Sequence, residues 1–314
     1  MVESHDDVVD TLIIGGGPAG LATALYLAQY LNSAIIFDSP QHSKHAIRTH
    51  AVPTWDKRTL ADLCKAARKE IASHYSTVRF EQRTIHCVNK LTSSYFEARD
   101  AEGRRWYGKT VVLAVGVRYL LPDIPGYDTC WLGGSCQCPH WGGRSTLDHL
   151  PTAGVLATGE NMTAEQAVAE ACMIRRLVEN VVIYTDGNLE LAVAIEASLA
   201  TANIGKVSTD SRPIERLSKG IKLNCLTVEF GNGPPRHQGF LLHNPKTEID
   251  GPFTRQLGLE LTEDGALRTE KYETSIEGVF AVGDCASTSR TILNAMASGM
   301  AAATRITAQL QQNR

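Results

Sequence analysis

The feature that most constrains this chain is the run from Thr11 to Ala28, in which an apolar stretch breaks into Gly15-Gly-Gly-Pro-Ala-Gly20. Glycines at 15, 17 and 20 have the G-x-G-x-x-G spacing, and Leu21, Leu25, Ala28 and Leu31 then recur at helical intervals. Each part has a physical reason: Gly15 for the tight turn out of a strand, Gly17 for close approach of a pyrophosphate to bare backbone, Gly20 for helix packing on strand. Pro18 and Ala19 fill the turn and open the helix, whose N-terminus offers unpaired N–H groups and a positive dipole end. A second apolar run, Ala34-Ile-Ile-Phe37, ends in Asp38, eighteen residues past Gly20, where a carboxylate can accept from a ribose 2′-OH. Strand, glycines, helix, second strand and acid together predict a dinucleotide site, with NAD or FAD as its occupant.

The bulk properties narrow the class. At 314 residues the chain has room for two cores, and 43% hydrophobic with 21% charged residues is ordinary globular composition. A net charge of −3 gives no reason to expect nucleic acid or an anionic membrane as partner. The acidic start (Glu3, Asp6, Asp7, Asp10) lacks the pattern of a signal peptide, and no apolar run is long enough for a membrane span. The expectation is a soluble, cytoplasmic protein. Its eight cysteines then read as free, buried or catalytic thiols rather than a disulfide framework, and their spacing gives no structural metal site.

Taken in order, the chain predicts α/β organisation. Ser39 to Trp55 is a His-rich loop in which His45 or His50 either touches the cofactor or substrate or is solvated. A helix is expected over 60–71, strands over 84–91, 94–98 and 106–107, and a separate buried strand at Val111-Val-Leu-Ala-Val-Gly116. Leu121-Pro-Asp-Ile-Pro-Gly126 is a linker. Strand, helix and strand recur at 154–158, 163–178 and 181–184, yet the turn between them, Gly159-Glu-Asn-Met-Thr-Ala164, keeps only the first glycine. Asn161 would stand where pyrophosphate approaches backbone, and no arginine cluster follows the second strand, so a packing domain is favoured over an NAD(P)H site. Residues 203–249 alternate strands with turns; a strand ending Gly283-Asp284 then precedes a small-residue helix over 292–309. Asp284 is either a contact on a large cofactor or a helix cap.

Gly15–Gly20, Val112-Leu-Ala-Val-Gly116 and Thr274-Ser-x-x-Gly-Val-Phe-Ala-x-Gly-Asp284 together resemble the thioredoxin-reductase-type flavoproteins over nearly the whole chain. Gly116–Gly126, Gly239–Glu248 and Gly251-Pro-Phe253 are similar to the fungal branch that oxidises small-molecule dithiols, the gliotoxin-type oxidases. The resemblance implies two Rossmann-like, three-layer ββα domains: a discontinuous FAD domain (1–117 and 250–314) and a degenerate NAD(P)-binding-like domain (118–249). It implies FAD on the Gly15–Gly20 turn, Asp38 on the adenosine ribose, and Asp284 on the ribityl chain. His50, Gly116, Gly283, Thr291 and Ile292 are further cofactor contacts, with the helix after Asp284 facing the flavin pyrimidine ring. It also implies a homodimer with O2 as electron acceptor.

One segment departs from that family. Its C-x-x-C pair and following His align with Cys138, Trp141 and Gly142, so the flavin-side thiol is replaced by an indole. A bond between Cys136 and Cys138 would span Cα atoms about 6.6 Å apart in an extended segment, near the limit for an unstrained disulfide. Three readings stand: a Cys136–Cys138 redox pair, Cys138 acting alone, or neither cysteine catalytic. His140 is a candidate base or a packed histidine, and Trp141 a flavin cover or core filler. The function expected is an FAD-dependent, O2-using oxidation of thiol or disulfide groups on a small secondary metabolite. The alternatives are hydroxylation of such a substrate, a redox-silent flavin-binding protein and an NADPH-dependent disulfide reductase.

Overall fold

The protein is described from a computed structural model, over residues 8–39, 48–92, 95–132, 136–137, 151–159, 162–202, 204–220 and 225–312. The chain divides into two compact units, residues 1–118 with 247–314, and residues 119–246.

The first unit opens with β1 (Val8–Ile14), α1 (Pro18–Gln29), β2 (Ala34–Phe37), α2 (Leu60–His74) and β3 (Val78–Glu81), the three strands pairing in parallel. A meander of β4 (Ile85–Lys90), β5 (Phe96–Asp100) and β6 (Arg105–Leu113) follows, with β6 returning parallel to β1. Alternation along β1 divides the core: Ile13 packs with Leu21, Leu27 and Ile36 under the helices, and Leu12 and Ile14 pack with Phe37, Val88 and Leu113 on the other face.

Two expectations change here. Leu31 lies past the end of α1, at φ 57° and 77% exposed, so the helical stripe stops at Ala28. The strands expected at 106–107 and from 111 are one nine-residue strand, because Gly108 leaves its Cβ position to Leu12 of the neighbouring strand. β3 was not foreseen: a four-residue segment with two charges gives little periodicity.

β7 (Val117–Leu120) carries the chain into the second unit, which holds α3 (Tyr127–Leu132), β8 (Cys136–Gln137), β9 (Thr152–Leu156), α4 (Ala164–Arg175) and β10 (Asn180–Tyr184). It continues through α5 (Leu189–Thr201), β11 (Val207–Asp210), β12 (Ile214–Lys219), β13 (Leu226–Phe230), β14 (Arg236–Gln238) and β15 (Leu241–Leu242). A parallel sheet, β11-β10-β9-β15-β8, packs on α4 and α5 through Ala167, Ala171, Ile174, Ile183 and Ile195. β12, β13 and β14 form a separate antiparallel sheet. The repeated strand–helix–strand is present, and α5, absent from the sequence expectation, extends it.

β16 (Lys246–Ile249), paired with β7, returns the chain to the first unit, where α6 (Phe253–Gln256), β17 (Val279–Ala281), a 3-10 turn at Gly283–Ala286 and α7 (Ile292–Gln312) complete it. β17 pairs in parallel with the C-terminal half of β6, giving the parallel order β3-β2-β1-β6-β17. This is the α/β architecture anticipated, with a first unit assembled from both ends of the chain. No helix is long and apolar enough to cross a membrane among the described residues.

Candidate functional site

In the first unit, the C-terminal ends of β1, β2, β6 and β17 meet at one edge of the sheet, where ligands of open α/β sheets bind. Gly15, at φ +118°, lies so close to the Ala114 carbonyl that any side chain would collide with backbone. A Cβ on Gly20 would likewise strike the Gly15 carbonyl, so the first helical turn sits directly on the turn before it. Gly17 differs: a Cβ there would meet nothing within 4 Å. It is also the N-cap of α1, contributes no side-chain cap, and is followed by Pro18 at the position where a missing N–H costs nothing.

Asp38 is 4% exposed at the end of β2, its Cγ 2.6 Å from where a Gly16 side chain would begin. Its carboxylate is paired with Arg68 of α2. Sequence reasoning missed Arg68, which reads as one more solvated charge on an amphipathic helix; its guanidinium in fact lies over the Phe80 ring at 5.7 Å. On the β17 side, Gly283 (φ +72°) rests against Ala19, its would-be Cβ 3.0 Å from that methyl, so the Gly283-Asp284 motif and the start of α1 converge. Burial holds the Asp284 carboxyl above its usual range, against the pull of Arg290. The Arg290 Nε is itself buried without a hydrogen-bond partner.

Gly116 has φ +72° and open space at its Cβ position. The Thr291 hydroxyl accepts from the Asn294 N–H at 3.2 Å at the head of α7, and Ile292 is half-buried beside it. His50 is half-buried in a tight loop that places Ala51, Thr54 and Lys57 at positive φ, and burial lowers its pKa.

The residues present fit a dinucleotide. An uncapped helix N-terminus, an open Gly17, a buried carboxyl at Asp284 and an orphaned Arg290 Nε supply donors, room and acceptors along one edge.

The second unit's corresponding turn is built differently. Gly159 keeps the geometry, with φ +109° and open space. α4, however, begins with a capping box: the Thr163 hydroxyl accepts from the Gln166 N–H, and the Gln166 side chain accepts from the Thr163 N–H, both at 3.2 Å. Two of the N–H groups at this helix start are thus satisfied internally. Arg212 and Arg236 sit at the end of β11, but both bind Asp210, and Arg212 also donates to the Asn232 and Pro234 carbonyls. Asn161 lies outside the described residues.

Cys138, His140 and Trp141 also lie outside them, as does His45. Cys136 is described: it is fully buried on β8, and its thiol is hydrogen-bonded to Cys130 of α3. The same unit holds a buried polar chain that sequence reasoning did not find. The Tyr127 hydroxyl and His243 Nδ1 are 2.5 Å apart, and His243 Nε2 is 3.4 Å from the Thr158 hydroxyl, one residue before Gly159.

Comparison with known proteins identifies the group. The family model described as pyridine nucleotide-disulphide oxidoreductase matches residues 9–145 and 244–299. The chain belongs to this family. It is accordingly an FAD-binding oxidoreductase. Similar relatives include "Thioredoxin reductase aclD" of Aspergillus oryzae, 36% identical over 96% of both chains. A second is "Thioredoxin reductase aclT" of the same organism, 33% identical over 99% of this chain and 97% of the relative. Among solved structures, HlmI has a TM-score of 0.84 at 25% identity, covering 99% of this chain and 95% of the other. An oxidoreductase from Agrobacterium tumefaciens shares the fold, with a TM-score of 0.85 at 23% identity over 98% and 100% of the two chains. The likeness to these solved structures extends over nearly the whole chain, including residues 146–243 that the family model does not match.

Proposed function

We propose that this flavoprotein is an oxidase of a small secondary metabolite, converting a dithiol to a disulfide with O2 as acceptor. The observation that carries the reading is the contrast between the two helix N-termini. α1 is uncapped and open at Gly17, whereas α4 closes its own N-terminus with Thr163 and Gln166. One nucleotide is accommodated, and the hydride donor's site is spent on the fold.

In this reading Gly15, Gly17, Pro18, Ala19 and Gly20 cradle the FAD pyrophosphate, and Asp38 accepts from the adenosine ribose. Asp284 accepts from the ribityl chain, and His50, Gly116, Gly283, Thr291 and Ile292 line the remainder. FAD supplies the two-electron exchange between substrate and O2; the net reaction, R(SH)2 + O2 giving RS2 + H2O2, balances without a nicotinamide. Cys138 is the thiol able to engage substrate sulfur, His140 the base that takes the thiol proton, and Trp141 a wall of the substrate pocket where the family has its second cysteine. Cys136 lies beside these in sequence, but its buried thiol is held well above its usual pKa by the Cys130 hydrogen bond and by burial. It is therefore poorly suited to attack.

The test is anaerobic. A small dithiol is expected to bleach the bound flavin and air to restore its colour, with NADPH leaving it oxidised. Flavin that stays oxidised with every thiol tried would overturn the reading. Rapid bleaching by NADPH would instead favour a disulfide reductase, in keeping with the name thioredoxin reductase that the relatives carry.

A further inference from the structure

α2 places one charge where its own pattern calls for an apolar side chain. Leu60, Leu63, Cys64, Ala67 and Ile71 recur at helical spacing and pack into the first unit's core. Arg68, four residues after Cys64 and three before Ile71, falls on that face, whereas Lys65 and Lys69 beside it are exposed. An arginine in open solvent contributes little, but this one is held from three elements. Its stem leaves α2, its guanidinium lies over the Phe80 ring of β3 at 5.7 Å, and its Nη2 donates to Asp38 Oδ2 at the end of β2. The Arg68 Nε is buried with no partner among the described residues, so the guanidinium keeps a donor that the fold does not use.

Asp38 is equally fixed. Its N–H donates to the Glu81 carbonyl at 2.9 Å, and a Cβ on Gly16 would fall 2.6 Å from Asp38 Cγ, so bare backbone packs against the carboxyl group. A carboxylate buried to this degree is costly to keep charged without a counter-ion, and only the charged form offers acceptors on both oxygens. We propose that Arg68 is a positioning residue of the cofactor site: by holding Asp38 charged and in one orientation, it sets the preference for a nucleotide that carries a ribose 2′-OH. The inference rests on the reading of Asp38 as the ribose acceptor. Asp38 takes the hydrogen bond from the hydroxyl, and Arg68 acts through Asp38. Lys65 and Lys69, on the solvent face of α2, cannot take its place.

The full chain, stripped of flavin, is titrated with FAD and with the FAD analogue built on 2′-deoxyadenosine, and both dissociation constants are read from flavin fluorescence. Wild type is expected to bind FAD more tightly by about tenfold or more, the worth of a hydrogen bond to a charged group. Asp38→Asn is expected to lose most of that preference. Arg68→Met is expected to lose it as well, through weaker binding of FAD, and to change nothing further in the Asp38→Asn background. Arg68→Lys keeps the counter-charge and is expected to retain part of the preference. A role in folding alone would weaken both ligands alike. The proposal is overturned if Arg68→Met discriminates as wild type does or weakens both ligands equally. It is also overturned if Arg68→Lys discriminates no better than Asp38→Asn, which keeps the test decisive should Arg68→Met not fold. Loss of the preference in Asp38→Asn but not in the Arg68 variants removes only the role of Arg68. A wild type with no preference removes the reading of Asp38 together with it.

Discussion

His243 shows how one buried residue sets a pH dependence. It is 3% exposed, and burial lowers its pKa to about 4, so it is neutral in the folded chain. The neutral ring shares one hydrogen bond with the Tyr127 hydroxyl through Nδ1 and one with the Thr158 hydroxyl through Nε2. In the unfolded chain the same imidazole titrates near its ordinary 6.5. Between these values the unfolded chain binds a proton that the folded chain refuses, so stability falls as pH drops from about 6.5 toward about 4, by up to about 3 kcal/mol. Denaturant unfolding across that window is expected to show a steeper loss for wild type than for His243→Asn, and equal slopes would exclude this group. Residues of this kind are hard to read from sequence. Asp38 was legible because it ends a strand at a set distance from three glycines. His243 follows a two-residue strand inside a motif that marks the family branch but gives this residue no role, and Arg68 looks like any surface charge until α2 turns it onto Asp38.

At the level of elements, α1 and α7 determine how the cofactor edge is held. Gly299 of α7 lies against the Ala19 carbonyl, and the Thr23 hydroxyl donates to the Gly299 carbonyl at 3.2 Å. A methyl at 299 would also stand 2.9 Å from the Thr23 Oγ1. Gly299→Ala is therefore expected to cost about 1–3 kcal/mol by overpacking, read as a lower melting temperature together with weaker retention of FAD. An unchanged melting curve would mean the helices separate easily. The small-residue composition of this helix was visible in the sequence; its packing partner, some 280 residues away, was not. α5 was illegible for a different reason. Its polar positions are few, and Leu189 and Val193, each 67% exposed, blur the apolar face that marks a surface helix. The two helix N-termini were half legible: the missing glycines after Gly159 could be counted, but the capping box needed Thr163 and Gln166 in place.

For the whole molecule, the two units make opposite predictions about ligands. A ligand at a hundred times its Kd stabilises the folded state by about 2.7 kcal/mol. FAD added to the apoprotein should raise its melting temperature by several degrees, whereas millimolar NADPH should leave the holoprotein's unchanged. A clear shift with NADPH would show that α4's capped N-terminus still admits a nucleotide. Neither unit is continuous with the chain in the same way. The second occupies one stretch, 119–246, while the first resumes only at 247. The pairing of β17 with the far half of β6 therefore has a consequence for synthesis. When β6 leaves the ribosome, the edge that will receive residues 279–281 is bare, and it stays bare while more than 160 further residues are translated. The intervening unit is complete in sequence well before then and can fold first. The flavin half is thus begun first and finished last, and the interval between β6 and β17 is when an open strand edge is most exposed to wrong partners.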